Sequence, residues 1–222
     1  MKIDSDTVAL VTGASRGLGY ATAVELARKG AHVIALAKTV GGLEELADVI
    51  EEAGGSCTPV PLDITDEGGL QRMCLSIHER WGRLDLLVHC AAHAVLLSPV
   101  AHVSDKDFDR MWAVNARATQ RIIAMTEPLL KASENGTAVF MHDPKAGEKF
   151  FAGYGATKAA AEAIVDSWAA ESVTIGPKVI KFTPNPMPTG LRARFFPGED
   201  RSKLATTEME AKRLLKVVSA SI

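Results

Sequence analysis

The amino-acid sequence predicts an α/β protein built on a doubly wound parallel sheet, with about six strands and helices on both faces in a three-layer α/β/α arrangement. Two observations predict this class. Apolar, β-branched runs of strand length alternate with helical patterns along the chain. A glycine-rich segment, residues 12–19, lies between the first such run and the first helical pattern. The length of 222 residues, 47% of them hydrophobic, suits one domain over residues 1–222 with a full core.

The first three elements form a βαβ unit. Residues 7–12 are an apolar run that predicts a buried strand, and residues 20–29 have the pattern of a helix that stops at Gly30. Residues 31–37 predict the second strand. The connection between two parallel strands places the intervening helix on one face of the sheet.

The later elements continue the alternation. The predicted strands are residues 57–62, 84–91, 137–142 and 178–183. The predicted helices are residues 41–53, 66–81, 105–132 (broken near Ala113), 152–173 and 207–219. Six strands in this sequence favour the spatial order 3-2-1-4-5-6, whose ligand crevice lies at the carboxyl ends of the strands.

The glycine-rich segment has the context of a phosphate-binding turn. Gly13, Gly17 and Gly19 leave the backbone open between a strand and a helix. Backbone N–H groups and the helix dipole at such a turn receive a pyrophosphate, so we predict dinucleotide binding in a Rossmann fold. The alternative is a glycine-rich turn that only lets the helix pack on the sheet.

A second motif, Y-x-x-x-K, pairs Tyr154 with Lys158 in an Ala-rich segment predicted to be helical. Residues four apart lie on one face of a helix. An ammonium close to a phenol stabilises the phenolate, so we expect Lys158 to lower the pKa of Tyr154 toward working pH, as a tyrosine general acid/base requires. The motif alone is weakly specific.

Composition excludes several classes of function. A formal net charge of −2 gives no electrostatic reason to expect nucleic acid or an acidic membrane surface as a partner. The three cysteines, Cys57, Cys74 and Cys90, have no metal-ligand spacing and are odd in number, which indicates reduced thiols in a cytoplasmic protein without a metal site. Residues 1–6 carry acids and lack the apolar core of a signal peptide.

Taken together, T-G-x-x-x-G-x-G and the later Y-x-x-x-K resemble the short-chain dehydrogenase/reductase family, from about Thr7 to Thr189. The resemblance implies that Asp63 and the following Ile64 contact the adenine, and that Asn115 holds a water in a proton relay. It also implies that the turn from Pro184 to Thr189 lies beside the nicotinamide, with Asn185 in place of the usual glycine. Read singly, Asp63 would be an N-capping residue and Asn115 a satisfied helix residue.

The cofactor set that this resemblance implies comes from six parts of the chain. Its members are Gly13, Ser15, Arg16, Gly17, Leu18, Gly19, Lys38, Asp63, Ile64, Cys90, Ala91, Tyr154, Lys158, Pro184 and Thr189. The end of the second strand lacks the acid that grips a ribose 2′-hydroxyl and carries Lys38 instead. With Arg16 before Gly17, this favours NADP over NAD; the alternative is that both are solvated surface charges.

Two departures from the family bear on activity. Where the family has N-N-A-G, this chain reads His89-Cys90-Ala91-Ala92. The catalytic Ser that usually ends the fifth strand is missing, and Asp143 aligns with its position. Losing one such hydrogen-bond donor typically costs roughly 10²–10³ in rate. His142 or a protonated Asp143 are the candidates to replace it, and a satisfied strand-end histidine is the alternative for His142.

The last part of the chain is short for the family. Residues 190–206 predict a substrate lid with Arg192, Arg194, Arg201 and Lys203 as solvated charges or, alternatively, as ligands of an anionic substrate. The family's last strand, which builds one of two dimer interfaces, is missing. We therefore expect a homodimer paired through the helices from Asn115 to Lys131 and from Ala152 to Val173.

The sequence thus predicts an NADP-dependent oxidoreductase that interconverts a small-molecule carbonyl and an alcohol. Tyr154 is the expected general acid/base, assisted by Lys158 and Asn115, with His142 or Asp143 in place of the Ser. The competing interpretation is a cofactor-binding protein without turnover, acting as a redox-sensing or interaction module.

Overall fold

A computed structural model describes residues 1–220, and these residues form one six-stranded parallel sheet. The spatial order of the strands is β3-β2-β1-β4-β5-β6, which confirms the predicted doubly wound arrangement. The strands are β1 (Val8–Thr12), β2 (His32–Ala37), β3 (Ser56–Pro61), β4 (Leu86–His89), β5 (Thr137–Met141) and β6 (Lys178–Phe182).

Eight α-helices cover the two faces of the sheet within the described residues. They are α1 (Gly17–Arg28), α2 (Val40–Glu52), α3 (Glu67–Trp81), α4 (Asp105–Met111), α5 (Ala118–Lys131), α6 (Ala152–Glu171), α7 (Gly190–Phe195) and α8 (Thr207–Ala220). None of these helices is long and apolar enough to cross a bilayer.

Each face of the sheet has its own apolar core, because successive strand side chains point to opposite faces. Ala9 and Val11 of β1 pack with α1, α2 and α8 on one face. Val8 and Leu10 pack with α3, α5 and α6 on the other. Burial on both faces explains why the strands read as nearly continuous apolar runs.

The ligand crevice follows from the point where the strand order reverses. β1 pairs with β2 on one side and with β4 on the other, and Thr12 is in register with both Leu36 and His89. The connections after β1 and β4 therefore leave the carboxyl edge toward opposite faces, which opens a crevice between them.

Two helices differ most from the prediction. The first helix begins at Gly17 and not at residue 20, because the glycine-rich segment itself makes the first turn. The predicted break near Ala113 is a π-helical segment, Trp112–Arg117, that joins α4 to α5 without interrupting the helical course. A π segment holds one extra residue per turn and is common at functional sites.

Candidate functional site

A cleft of about 440 Å³ opens at the carboxyl ends of the strands. It collects every residue predicted to bind the cofactor, although these residues come from distant parts of the sequence. They are Gly13, Ser15, Arg16, Gly17, Leu18, Gly19, Lys38, Asp63, Ile64, Cys90, Ala91, Tyr154, Lys158, Pro184 and Thr189. His142 and Asp143 line the same cleft.

The glycine-rich turn is shaped for close backbone approach. Gly13 has φ +68°, and a Cβ there would lie 2.9 Å from the Ala91 nitrogen. A Cβ at Gly19 would overlap the Gly13 carbonyl oxygen. The first turn of α1 has no acidic residue and no capping side chain among the described residues. Its N–H groups therefore suit a pyrophosphate.

A cluster of charges lies at one end of the cleft. The Asp63 carboxylate accepts from the Lys38 ammonium at 3.1 Å and from the Arg110 guanidinium at 3.0 Å. Partial burial alone would raise the pKa of Asp63, but hydrogen bonds from Thr65, Arg110 and Lys38 outweigh it and hold that pKa well below its usual range. Lys38 is thus an ion-paired residue and not only a solvated charge.

Arg110 is a residue of the cleft that the sequence does not predict. Its position five residues before Asn115 carries no motif, and only the packing of α4 against the crevice brings it to Asp63. The cluster therefore holds two cations around one carboxylate and keeps a positive balance.

The fifth strand delivers a carboxylate to the predicted catalytic tyrosine. The Tyr154 hydroxyl donates to Asp143 Oδ2 at 3.0 Å. Tyr154 is only 5% exposed. Burial raises the pKa of Tyr154 well above its usual range, and the charge and hydrogen bond of Asp143 raise it further. The phenol is therefore fully protonated at neutral pH.

Lys158 lies one turn further along α6, as its spacing predicts, but its ammonium has another partner. Lys158 Nζ donates to the Met141 carbonyl oxygen at 2.7 Å. The expected lowering of the pKa of Tyr154 by Lys158 is wrong for this structure, because burial and Asp143 determine that pKa. Burial also lowers the pKa of Lys158, while Asp143, Cys90 and Glu162 oppose that change.

Asn115 lies in the π segment and does not line the cleft. Its Nδ2 donates to the His93 carbonyl at 2.8 Å and to Thr157 Oγ1 at 3.0 Å, and its Oδ1 accepts from the His93 N–H at 2.8 Å. With Lys158 it lines an adjoining cavity of about 30 Å³, which has room for a water molecule. Its side chain joins the connection after β4 to α6.

His142 lies on a different side of the site from the Tyr154 hydroxyl. Its Nδ1 is 3.3 Å from Glu162 Oε1, and the same carboxylate oxygen accepts from Lys181 at 3.1 Å. Of the two candidates for the position of the missing Ser, Asp143 is thus the one that contacts the phenol.

Helix α7, in the segment predicted to be a lid, lines one side of the cleft. Arg194 of α7 lines the cleft and donates to the Ala94 carbonyl oxygen, while Arg192 pairs with Glu199 at 2.5 Å. Phe195 packs on Tyr154 with ring centroids 5.0 Å apart. Because Arg192 and Arg194 make specific contacts, they are not simply solvated charges.

The described residues include no group of three or more His, Cys, Asp or Glu side chains that could hold a metal ion. The three cysteines are free, and burial raises the pKa of each thiol, most strongly for Cys90, to about 12.

Comparison with known proteins agrees with this geometry. The family model for short chain dehydrogenases matches residues 7–200. The chain therefore belongs to the short-chain dehydrogenase family, as the two sequence motifs predict.

Two solved structures illustrate the likeness. A short chain dehydrogenase from Escherichia coli CFT073, complexed with NADPH, has a TM-score of 0.90 at 29% identity, covering 98% of this chain and 92% of that one. An alcohol dehydrogenase from Thermococcus sibiricus, complexed with 5-hydroxy-NADP, has a TM-score of 0.85 at 25% identity, covering 96% and 90%.

Among curated proteins, a sorbitol dehydrogenase from Cereibacter sphaeroides is 32% identical over 170 residues, or 75% of this chain. The match spans 64% of that relative's length.

The Tyr154–Asp143 contact predicts an unusual titration. The chain has two tyrosines, so Tyr20→Phe leaves Tyr154 as the only one. In that variant, the tyrosinate absorbance near 295 nm should stay absent beyond pH 10, the usual pKa of tyrosine. Adding Asp143→Asn should lower the pKa, because it removes the carboxylate charge. An ionisation at or below pH 10 with Asp143 present, while circular dichroism reports a folded chain, would contradict this assignment.

Proposed function

We propose that this protein is an NADP-dependent oxidoreductase that interconverts a carbonyl and an alcohol by hydride transfer. The observation that carries the proposal is one cleft lined by Tyr154 and Lys158 of α6, by the glycine-rich turn and by the Lys38–Asp63–Arg110 cluster. A cofactor extended along this cleft would contact all three. The oxidoreductases among the relatives support the same reaction class.

The charges around the cleft favour NADP. Lys38 and Arg110 surround a single carboxylate, and Arg16 lines the same cleft. Three cations against one carboxylate leave a positive balance for a 2′-phosphate. Structural relatives bound to NADP and NADPH agree with this choice.

The residues of this chain would handle the proton. NADPH, when bound, supplies the hydride that reduces the carbonyl carbon. Tyr154 holds its proton at neutral pH, and its hydroxyl would turn away from Asp143 to donate that proton to the substrate oxygen. The phenolate that remains is stabilised by the Lys158 ammonium and opposed by the Asp143 carboxylate. We therefore expect slower turnover than with a Ser at position 143.

A cofactor-binding protein without turnover is the second candidate function. The Tyr154–Asp143 contact favours it, because an ionised carboxylate accepts the phenolic proton and cannot donate to a substrate oxygen. The two candidates differ in whether any carbonyl compound is reduced.

Substitutions at the two residues should separate these functions. In a panel of carbonyl substrates with NADPH, Tyr154→Phe should lower kcat by about 10² or more, because the proton donor is lost. Asp143→Ser should raise kcat by about tenfold or more, because a neutral donor replaces the carboxylate. Tyr20→Phe is the matched control, because Tyr20 is the other tyrosine of the chain and does not line the cleft. If no substrate shows turnover that depends on Tyr154, the oxidoreductase function is refuted. The cofactor-binding protein without turnover then remains as the function.

Cofactor choice can be tested without a substrate. A ligand that binds the folded state raises the melting temperature according to its concentration over its Kd. NADPH should stabilise the protein more than NADH at equal concentration. The difference between the melting-temperature shifts with NADPH and NADH should narrow in each of the variants Lys38→Ala, Arg16→Ala and Arg110→Ala. It should not narrow in Lys106→Ala, which is on the same helix as Arg110. Equal shifts for NADPH and NADH in the wild type would overturn the NADP assignment.

The protein that we propose is a cytoplasmic homodimer with residues 190–206 as its lid. The contacts of Arg194 and Phe195 over the cleft support the lid. The free cysteines suit a reducing compartment. The dimer would pair through α5 and α6. On α6, the small side chains of Ala156, Ala159 and Ala163 form an exposed face. Small residues allow a partner helix to approach closely.

Light scattering should report about twice the chain mass of 23.6 kDa. Ala159→Glu should shift the protein toward monomer, because it places a charge in the proposed contact. Ala53→Glu, an exposed alanine after α2, is the control and should leave the mass unchanged. A wild-type monomer, or a dimer that survives Ala159→Glu, would contradict the pairing.

A further inference from the structure

A buried histidine occupies the carboxyl end of β4, beside the cleft. His89 is 5% exposed and both of its ring nitrogens have hydroxyl partners. Nδ1 is 2.9 Å from Thr12 Oγ1, and Nε2 is 3.1 Å from Thr119 Oγ1. Thr12 and Thr119 are themselves buried. A single ring thus connects β1 to α5.

The hydrogen bonds of the two threonines determine where the imidazole proton lies. The Thr119 hydroxyl donates its one proton to the Asn115 carbonyl oxygen at 2.6 Å. Thr119 Oγ1 must therefore accept from His89, which places the ring proton on Nε2. Nδ1 is then an acceptor and receives the Thr12 hydroxyl proton. Thr12 Oγ1 accepts in turn from the Ala91 N–H at 3.2 Å.

The network reaches functional segments at both ends. At one end, Ala91 is the residue against which Gly13 of the glycine-rich turn packs. At the other end, Asn115 donates through Nδ2 to Thr157 Oγ1, and the Thr157 hydroxyl donates to the Tyr154 carbonyl oxygen at 2.9 Å. Every donor in this path has an acceptor, and all hydrogen bonds run in one direction, from the Ala91 N–H to the Tyr154 carbonyl oxygen.

We propose that His89 is a positioning residue which, as the neutral Nε2–H tautomer, holds the glycine-rich turn and the Asn115 segment in fixed relation across the cleft. His89 does not line the cleft and acts through Ala91 and Asn115. Its effect on NADPH binding is independent of turnover, whereas its effect on kcat rests on the proposed oxidoreductase function.

The burial of the ring keeps it neutral. Burial, together with the nearby Lys158 charge, lowers the pKa of His89 to about 3. A protonated ring would have two donors and would leave the Thr12 hydroxyl proton facing a second donor. We therefore expect the single neutral tautomer to persist near neutral pH.

Substitutions at His89 test the role against a matched histidine. His89→Leu removes both bonds, and His89→Gln retains one donor and one acceptor. His32→Leu is the control, because His32 also contacts two hydroxyls, of Ser56 and Thr58, but lies at the opposite end of the sheet. Per folded protein, His89→Leu should raise the Kd for NADPH and lower kcat by about tenfold or more, since buried partners lose their bonds. His89→Gln should recover both to within about threefold.

Nitrogen-15 NMR of the wild-type imidazole gives a second measurement, which needs neither turnover nor a folded Leu variant. The expected result is an Nε2–H tautomer without titration between about pH 5 and pH 8. An Nδ1–H tautomer, a titration in that range, or a wild-type Kd and kcat in His89→Leu would overturn the proposal. If the wild type shows no turnover while the Kd and the tautomer behave as expected, only the oxidoreductase function fails.

Discussion

The hydrogen bond between Tyr154 and Asp143 is the interaction on which the chemistry of this site depends. It brings the hydroxyl of Tyr154 on α6 against Asp143, which follows β5. The tyrosine side chain is almost inaccessible to solvent. A carboxylate and burial both oppose the phenolate, so the tyrosine keeps its proton. In the proposed mechanism, the Lys158 ammonium compensates for these two effects by stabilising the phenolate.

The parallel sheet makes such a site possible, because all six strands present their carboxyl ends at one edge. The connections after β1, β4 and β5 bring Gly13, Ala91 and Asp143 into one cleft although they are far apart in the chain. Buried hydrogen bonds then determine the distances between these connections. Asn115 joins the β4 connection to α6, and Thr12 joins it to β1.

The sequence predicted the strand order from hydrophobic alternation and the phosphate-binding turn from glycines between a strand and a helix. The other residues of the cleft were expected from the resemblance to the family. It did not predict the π segment, since i,i+5 hydrogen bonding leaves no periodic signature in a short stretch. The direction in which the pKa of Tyr154 shifts was also predicted wrongly. Helical spacing placed Lys158 correctly, one turn after Tyr154. It carried no information about burial of the phenol or about Asp143, which together raise the pKa of Tyr154.

Two solved structures that are similar to this chain are complexed with NADP and with NADPH. The central claim is that one cleft holds NADP with its reactive ring at Tyr154 and its 2′-phosphate among the cations. A crystal structure of the protein with NADPH tests this most directly. The account predicts the nicotinamide beside Tyr154 and the 2′-phosphate within hydrogen-bond distance of Arg16, Lys38 or Arg110. A cofactor bound elsewhere, or a 2′-phosphate without a cationic partner, would contradict it.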